Sequence, residues 1–145
     1  MVCCGFGNRE IFQDISSQLD EAITQSIKLG CNIFYTGAMG EFDMIFSRAV
    51  RKAKKTNPNI KLICVKPYMT KELNDNKEYY KSMYDDVIIP TELIGIHYKS
   101  AITARNRWIV DNSDIVIVYT IRAYGGAYTA INYAKKKNKL VIKLK

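Results

Sequence analysis

Short apolar runs alternate along this chain with longer stretches in which apolar residues return every three or four positions. The short runs lie at 2–6, 32–36, 61–65, 86–89, 114–119 and 140–144. Several are nearly continuous Val, Ile and Leu, the signature of strands covered on both sheet faces. Between them, Ile15, Leu19, Ala22, Ile23 and Ile27 predict a first helix ended by Gly30. Phe42, Ile45, Phe46, Ala49 and Ala53 form the apolar stripe of a second, and Ala127, Ala130, Ile131 and Ala134 that of the last. A third helix is expected over 70–84 and a fourth over 99–112. Regular strand–helix alternation predicts an α/β fold with a mostly parallel sheet, right-handed crossovers and helices on both faces. With no repeat, low-complexity stretch or linker in 145 residues, a single domain over 1–145 is expected.

This pattern locates function before any motif is read. In open parallel sheets ligands bind at the carboxyl ends of the strands. The unusual residues fall there: GFGNRE after the first strand, TGAMGEFD after the second, KPY after the third and RAYGGAYT after the fifth. The opposite rim carries plain connectors such as KLGCN and KKKNK.

Composition narrows the class. Apolar residues make up 48% and charged residues 25%, the balance of an ordinary globule. The apolar runs are too short to span a membrane, and MVCCGFGNRE holds no cleavage-like site, so a cytoplasmic protein is expected. Cys3, Cys4, Cys31 and Cys64 sit in apolar segments without a C-x-x-C, and His97 is the only histidine. Buried, reduced thiols are expected rather than a metal site. The net charge of +8 invites an anionic partner, nucleic acid included. The lysines, however, gather at 51–55 and 135–139, where they complement helix C-termini.

Two glycine turns stand out. Thr36-Gly37-Ala38-Met39-Gly40 leaves the second strand and runs into a helix whose first turn holds Glu41 and Asp43. These carboxylates disfavour a phosphate at that point. Asp43 either holds ribose or base, or offsets the helix dipole, and Glu41 reads as a dipole partner. Gly125-Gly126-Ala127 with Thr129 opens a helix free of acids, which suits a phosphate cradle. Gly5-Phe6-Gly7-Asn8-Arg9-Glu10 resembles the start of a dinucleotide fingerprint but lacks its third glycine. Arg105 lies beside Ala101 and Ala104 and, if sheltered, needs an anion or a carboxylate; Asp111 is one candidate partner and another candidate for ligand hydroxyls. The ten tyrosines are scattered, which suggests half-buried structural positions rather than a base-stacking platform.

Taken together, CCGFGNRE, FYTGAMGEFDMIFSRAV, KPY, ARNRWIVDNSDIVIVY and YGGAYTAINYAKKKNKLVI resemble the SLOG superfamily, which joins the Smf/DprA proteins to the LOG enzymes. The likeness is greatest to its small YpsA/YoqJ-like bacterial and phage branch. It implies a Rossmann-like, doubly wound domain that binds a nucleotide-derived small molecule as a sensor or sequestering module, as a dimer or larger. On that basis ligand contacts are expected from Gly7, Asn8, Arg9, Thr36, Gly37, Ala38, Met39, Gly40, Asp43, Pro67, Arg105, Asn106, Asp111, Tyr119, Gly125, Gly126, Ala127 and Thr129. The LOG signature ends in a glutamate that serves N-glycosidic cleavage; the matching residue here is Asn132, an amide with no acid–base chemistry. That argues against LOG-type hydrolysis and leaves Asp43 and Asp111 as the candidate carboxyls for a different cleavage. Single-stranded DNA binding is a further alternative, suggested by the charge and the DprA kinship.

Overall fold

The computed structural model describes residues 1–145. The strands are β1 (Val2–Gly7), β2 (Ile33–Thr36), β3 (Lys61–Val65), β4 (Asp86–Ile88), β5 (Ile115–Tyr119) and β6 (Leu140–Lys143). They form one sheet in the order β4-β3-β2-β1-β5-β6, every neighbouring pair parallel. The helices are α1 (Ser16–Lys28), α2 (Gly40–Lys54), α3 (Lys71–Asp75), α4 (Lys77–Met83), α5 (Tyr98–Asp111) and α6 (Gly126–Lys136). No helix is long and apolar enough to cross a membrane.

Each strand feeds both layers because its side chains alternate between faces. Cys3 belongs to the core under α1 and α2, with Phe34, Phe42, Phe46 and Leu62. The adjacent Cys4 belongs to the core under α5 and α6, with Val116, Val118, Ala130 and Ala134. A smaller cluster of Cys64, Leu73 and Tyr80 seals the β4 edge beneath α3 and α4. All four cysteines are free and buried.

The expected third helix is two helices. Asn76 interrupts it at φ −117°, ψ 35°, and its side-chain amide donates to the Glu72 carbonyl at 2.7 Å. An Asn side chain that bonds its own backbone competes with helix continuation. A short 3-10 turn at Thr91–Leu93 was not foreseen either.

The strand order sets the functional geography. The chain winds outward from β1 through β2 and β3 to β4, then returns to place β5 on the other side of β1. The topological switch point therefore lies between β1 and β5, whose ends are level, with Gly7 beside Tyr119.

Candidate functional site

A cavity of about 230 Å³ opens at that switch point. Its wall combines the loop after β1 (Gly7, Asn8, Arg9), the loop after β2 (Gly37, Met39, with Asp43), α5 (Arg105, Asn106) and the turn into α6 (Gly125, Gly126, Ala127). The two glycine turns that the sequence singled out thus converge on one crevice. Phe6, Ile102, Arg122 and Tyr124 complete the wall. None of these four is among the expected ligand contacts, although Tyr124 directly precedes the paired glycines and Arg122 lies two residues before it.

The two helices that begin at the crevice differ in what their N-termini can do. At α2, the Glu41 N–H donates to the Arg9 carbonyl at 2.8 Å and the Phe42 N–H to the Asn8 carbonyl at 3.4 Å. Asp43 Oδ2, at the fourth helical position, accepts from the Met39 N–H at 2.8 Å and so caps the start of α2. Two of the first N–H groups of α2, and the Met39 N–H before them, are thus taken by the protein's own chain. At α6, the capping residue is Gly125, there is no side-chain cap and no acid in the first turn. No protein acceptor takes the N–H groups of Gly126, Ala127 or Tyr128. Free N–H groups and the positive end of the helix dipole there face the cavity.

Arg105 lies between the two turns and is only 2% exposed. Its Nη1 donates to the carbonyls of Gly37 (3.2 Å) and Val65 (3.0 Å), its Nε to Asn106 Oδ1 (2.8 Å) and its Nη2 to Met39 Sδ (3.0 Å). Every acceptor is neutral, and none of the protein's ion pairs includes it. Burial accordingly lowers its pKa from the ordinary arginine value, with Asp43 opposing that shift electrostatically. The guanidinium also explains Gly37, since a Cβ there would lie 2.9 Å from Arg105 Cζ.

Asp43 is the one carboxyl on the cavity wall. Burial lifts it from 3.8 to about 6, against the Met39 N–H and the cations Arg105, Lys66 and Arg9. Its Oδ1 takes no hydrogen bond from the protein, while Oδ2 is held by the cap.

Several expected ligand residues have other duties. The Asn8 side chain spans the switch point: Nδ2 donates to Thr120 Oγ1 at 3.2 Å, and Oδ1 accepts from the Ile121 N–H at 2.9 Å. Gly7 makes room for the Phe42 ring, since a Cβ there would lie 2.2 Å from Phe42 Cγ. Thr36 is fully buried, and its hydroxyl accepts from the Ala38 N–H at 3.2 Å. Ala38 (φ 54°) and Gly40 (φ 86°) shape that turn in left-handed conformations rather than line the cavity. Pro67 is buried, and Tyr119 packs in the core under α1 and α2. Thr129 Oγ1 donates to the Gly125 carbonyl at 3.0 Å, so its hydroxyl serves the helix start. Asp111 lies apart from the wall of this crevice, at the end of α5, and accepts from the Tyr133 hydroxyl at 2.8 and 3.0 Å. Helical spacing itself separates the two, because the six residues from Arg105 to Asp111 carry the chain about 9 Å down the helix and onto another face. Asn132 is exposed on α6, outside the cavity wall.

Two solved structures share this architecture. DNA processing protein A from Helicobacter pylori superposes over 99% of the chain with a TM-score of 0.67 at 17% identity. DNA processing protein A (DprA) from Streptococcus pneumoniae does so over 97% with a TM-score of 0.64 at 19% identity. The chain spans 64% of the first and 49% of the second. No family model matches the sequence, and neither does any curated protein. The H. pylori protein binds single-stranded DNA. At these identities the likeness establishes the fold alone, a Rossmann-like α/β domain.

Proposed function

We propose that the crevice binds a nucleotide-derived small molecule through its phosphate, in a sensor or sequestering module of the YpsA/YoqJ-like kind. One observation carries this reading: the uncapped N-terminus of α6 and a buried arginine with no ion-pair contact, Asp43 acting on it only at longer range, open on the same cavity. A buried cation paired only with neutral groups is costly, and a bound anion relieves that cost. Free helix N–H groups supply directed donors for its oxygens. Gly126 fits the same reading. It lacks a left-handed φ, and a Cβ there would meet nothing within 4 Å, so neither strain nor packing excludes a side chain. A ligand's phosphate provides the missing reason for glycine. The cavity of about 230 Å³ is small beside ordinary ligand pockets of about 300–1,000 Å³, which suits one sugar-phosphate unit with its base at the mouth. Asp43 Oδ1 then faces the ribose hydroxyls.

Titration calorimetry with AMP and with ribose 5-phosphate tests the proposal on the wild type and on Gly126→Ala. The wild type should bind both, and the variant should bind at least about 10-fold more weakly. Its melting temperature should stay level or rise, because alanine is favoured over glycine in helices by about 1 kcal/mol. A wild type that binds neither compound would end this reading. Chromatography of the same mixtures checks for released base; release abolished in Asp43→Asn would make the crevice an N-glycosidic cleavage site.

Binding of single-stranded DNA is a second reading, favoured by the net charge of +8 and by the DNA-binding H. pylori structure. It expects anisotropy of a labelled oligonucleotide to report affinity falling steeply with salt. Oligonucleotide binding with no response to AMP would replace the first reading by the second.

A further inference from the structure

We propose that Tyr124 is the platform on which the ligand's base stacks, held at the mouth of the crevice by Asn8 through the loop after β5. The inference rests on the phosphate reading above and names the part of the ligand that reading leaves free. Tyr124 lines the cavity, yet it is 68% exposed. So large an aromatic surface left in water gains little from the fold, whereas a planar base would cover it. The Arg122 guanidinium lies 5.9 Å from the ring centroid, so the ring already has a cation beside it.

The loop is anchored up to the point where the ring begins. Asn8 holds Thr120 and Ile121, and Thr120 Oγ1 in turn accepts from the Arg122 N–H at 3.2 Å and donates to the Arg122 carbonyl at 3.0 Å. Beyond Tyr124, Gly125 turns the chain at φ 96° into the free N–H groups of α6. Ring and phosphate cradle are therefore adjacent in sequence. This spacing suits a nucleoside 5′-phosphate, in which one sugar separates base from phosphate. Stacking reads the face of a base and not its edge, so purines, with the larger face, should bind more tightly than pyrimidines.

The experiment compares AMP, UMP and ribose 5-phosphate on the wild type, Tyr124→Ala and Tyr124→Phe. Tyr124→Ala should weaken AMP by about 10-fold, within the range known for base–aromatic stacking, and leave ribose 5-phosphate within about 2-fold. Tyr124→Phe should retain AMP affinity, and AMP should exceed UMP. An unchanged AMP affinity in Tyr124→Ala, or an equal loss for AMP and ribose 5-phosphate, overturns the platform. A wild type that binds ribose 5-phosphate as tightly as AMP overturns the platform while the phosphate site stands. A wild type that binds neither removes both.

Discussion

Replacing Asp43 by Asn separates the carboxyl's charge from its shape. In the wild type Oδ2 caps α2 by accepting from the Met39 N–H, and an asparagine oxygen can do the same. Only the ability to ionise is lost. Because burial lifts the folded-state value from 3.8 to about 6, the fold favours the neutral acid. The stability that this preference contributes is fully present below pH 3.8 and is lost as the pH rises through about 6. At 1.36 kcal/mol per pH unit the difference amounts to about 3 kcal/mol between pH 3.8 and neutrality, an upper figure for a carboxyl that keeps some contact with water. Urea unfolding of wild type and Asp43→Asn at intervals from pH 4 to 8 measures it. Relative to the wild type, the variant should gain about 2–3 kcal/mol over that interval, most of it between pH 4 and 6.5. Two stability curves that stay parallel would show that Asp43 titrates as an ordinary solvated carboxyl, and the account of a desolvated crevice would fail.

Two further changes test the scaffold around the crevice. Gly7→Ala drives a methyl into the Phe42 ring, so it should cost about 3 kcal/mol in chemical unfolding; a loss below about 1 kcal/mol would show that the β1–α2 packing is loose. Asn8→Ala removes both side-chain bonds across the switch point and should cost about 1–2 kcal/mol. Hydrogen exchange in that variant should speed up in residues 120–126 and stay unchanged in β1; uniform acceleration would mean that Asn8 supports the fold as a whole.

Much of this architecture was legible because its signals are repetitive. Six apolar runs, each close to its strand, and amphipathic spacing in α1, α2 and α6 leave few alternatives to a parallel sheet. The crevice was legible as a rim, since the glycine turns and Arg105 carry local signals of their own. What escaped depends on long-range geometry. Asn8 was expected to face a ligand, but its partners Thr120 and Ile121 lie more than a hundred residues away and become neighbours only through the return to β5. By spacing alone Tyr124 reads as one more structural tyrosine, because exposure is a property of the folded surface and not of spacing. Asp111 seemed to belong with Arg105, yet the helix carries it to the other rim. The break at Asn76 was masked by helical residues on both sides of a single competing side chain.

The unequal helix ends give the crevice a polarity. With the α2 end partly occupied by carbonyls from its own chain and the α6 end open, the proposed phosphate reading seats the negative pole of a guest at α6 and extends the remainder away from it. An elongated molecule charged at one tip enters in a single orientation, whereas one charged at both tips must leave its second charge beside Asp43. On the proposed reading, discrimination against guests charged at both tips rests on the Asp43 carboxylate together with the unequal helix ends.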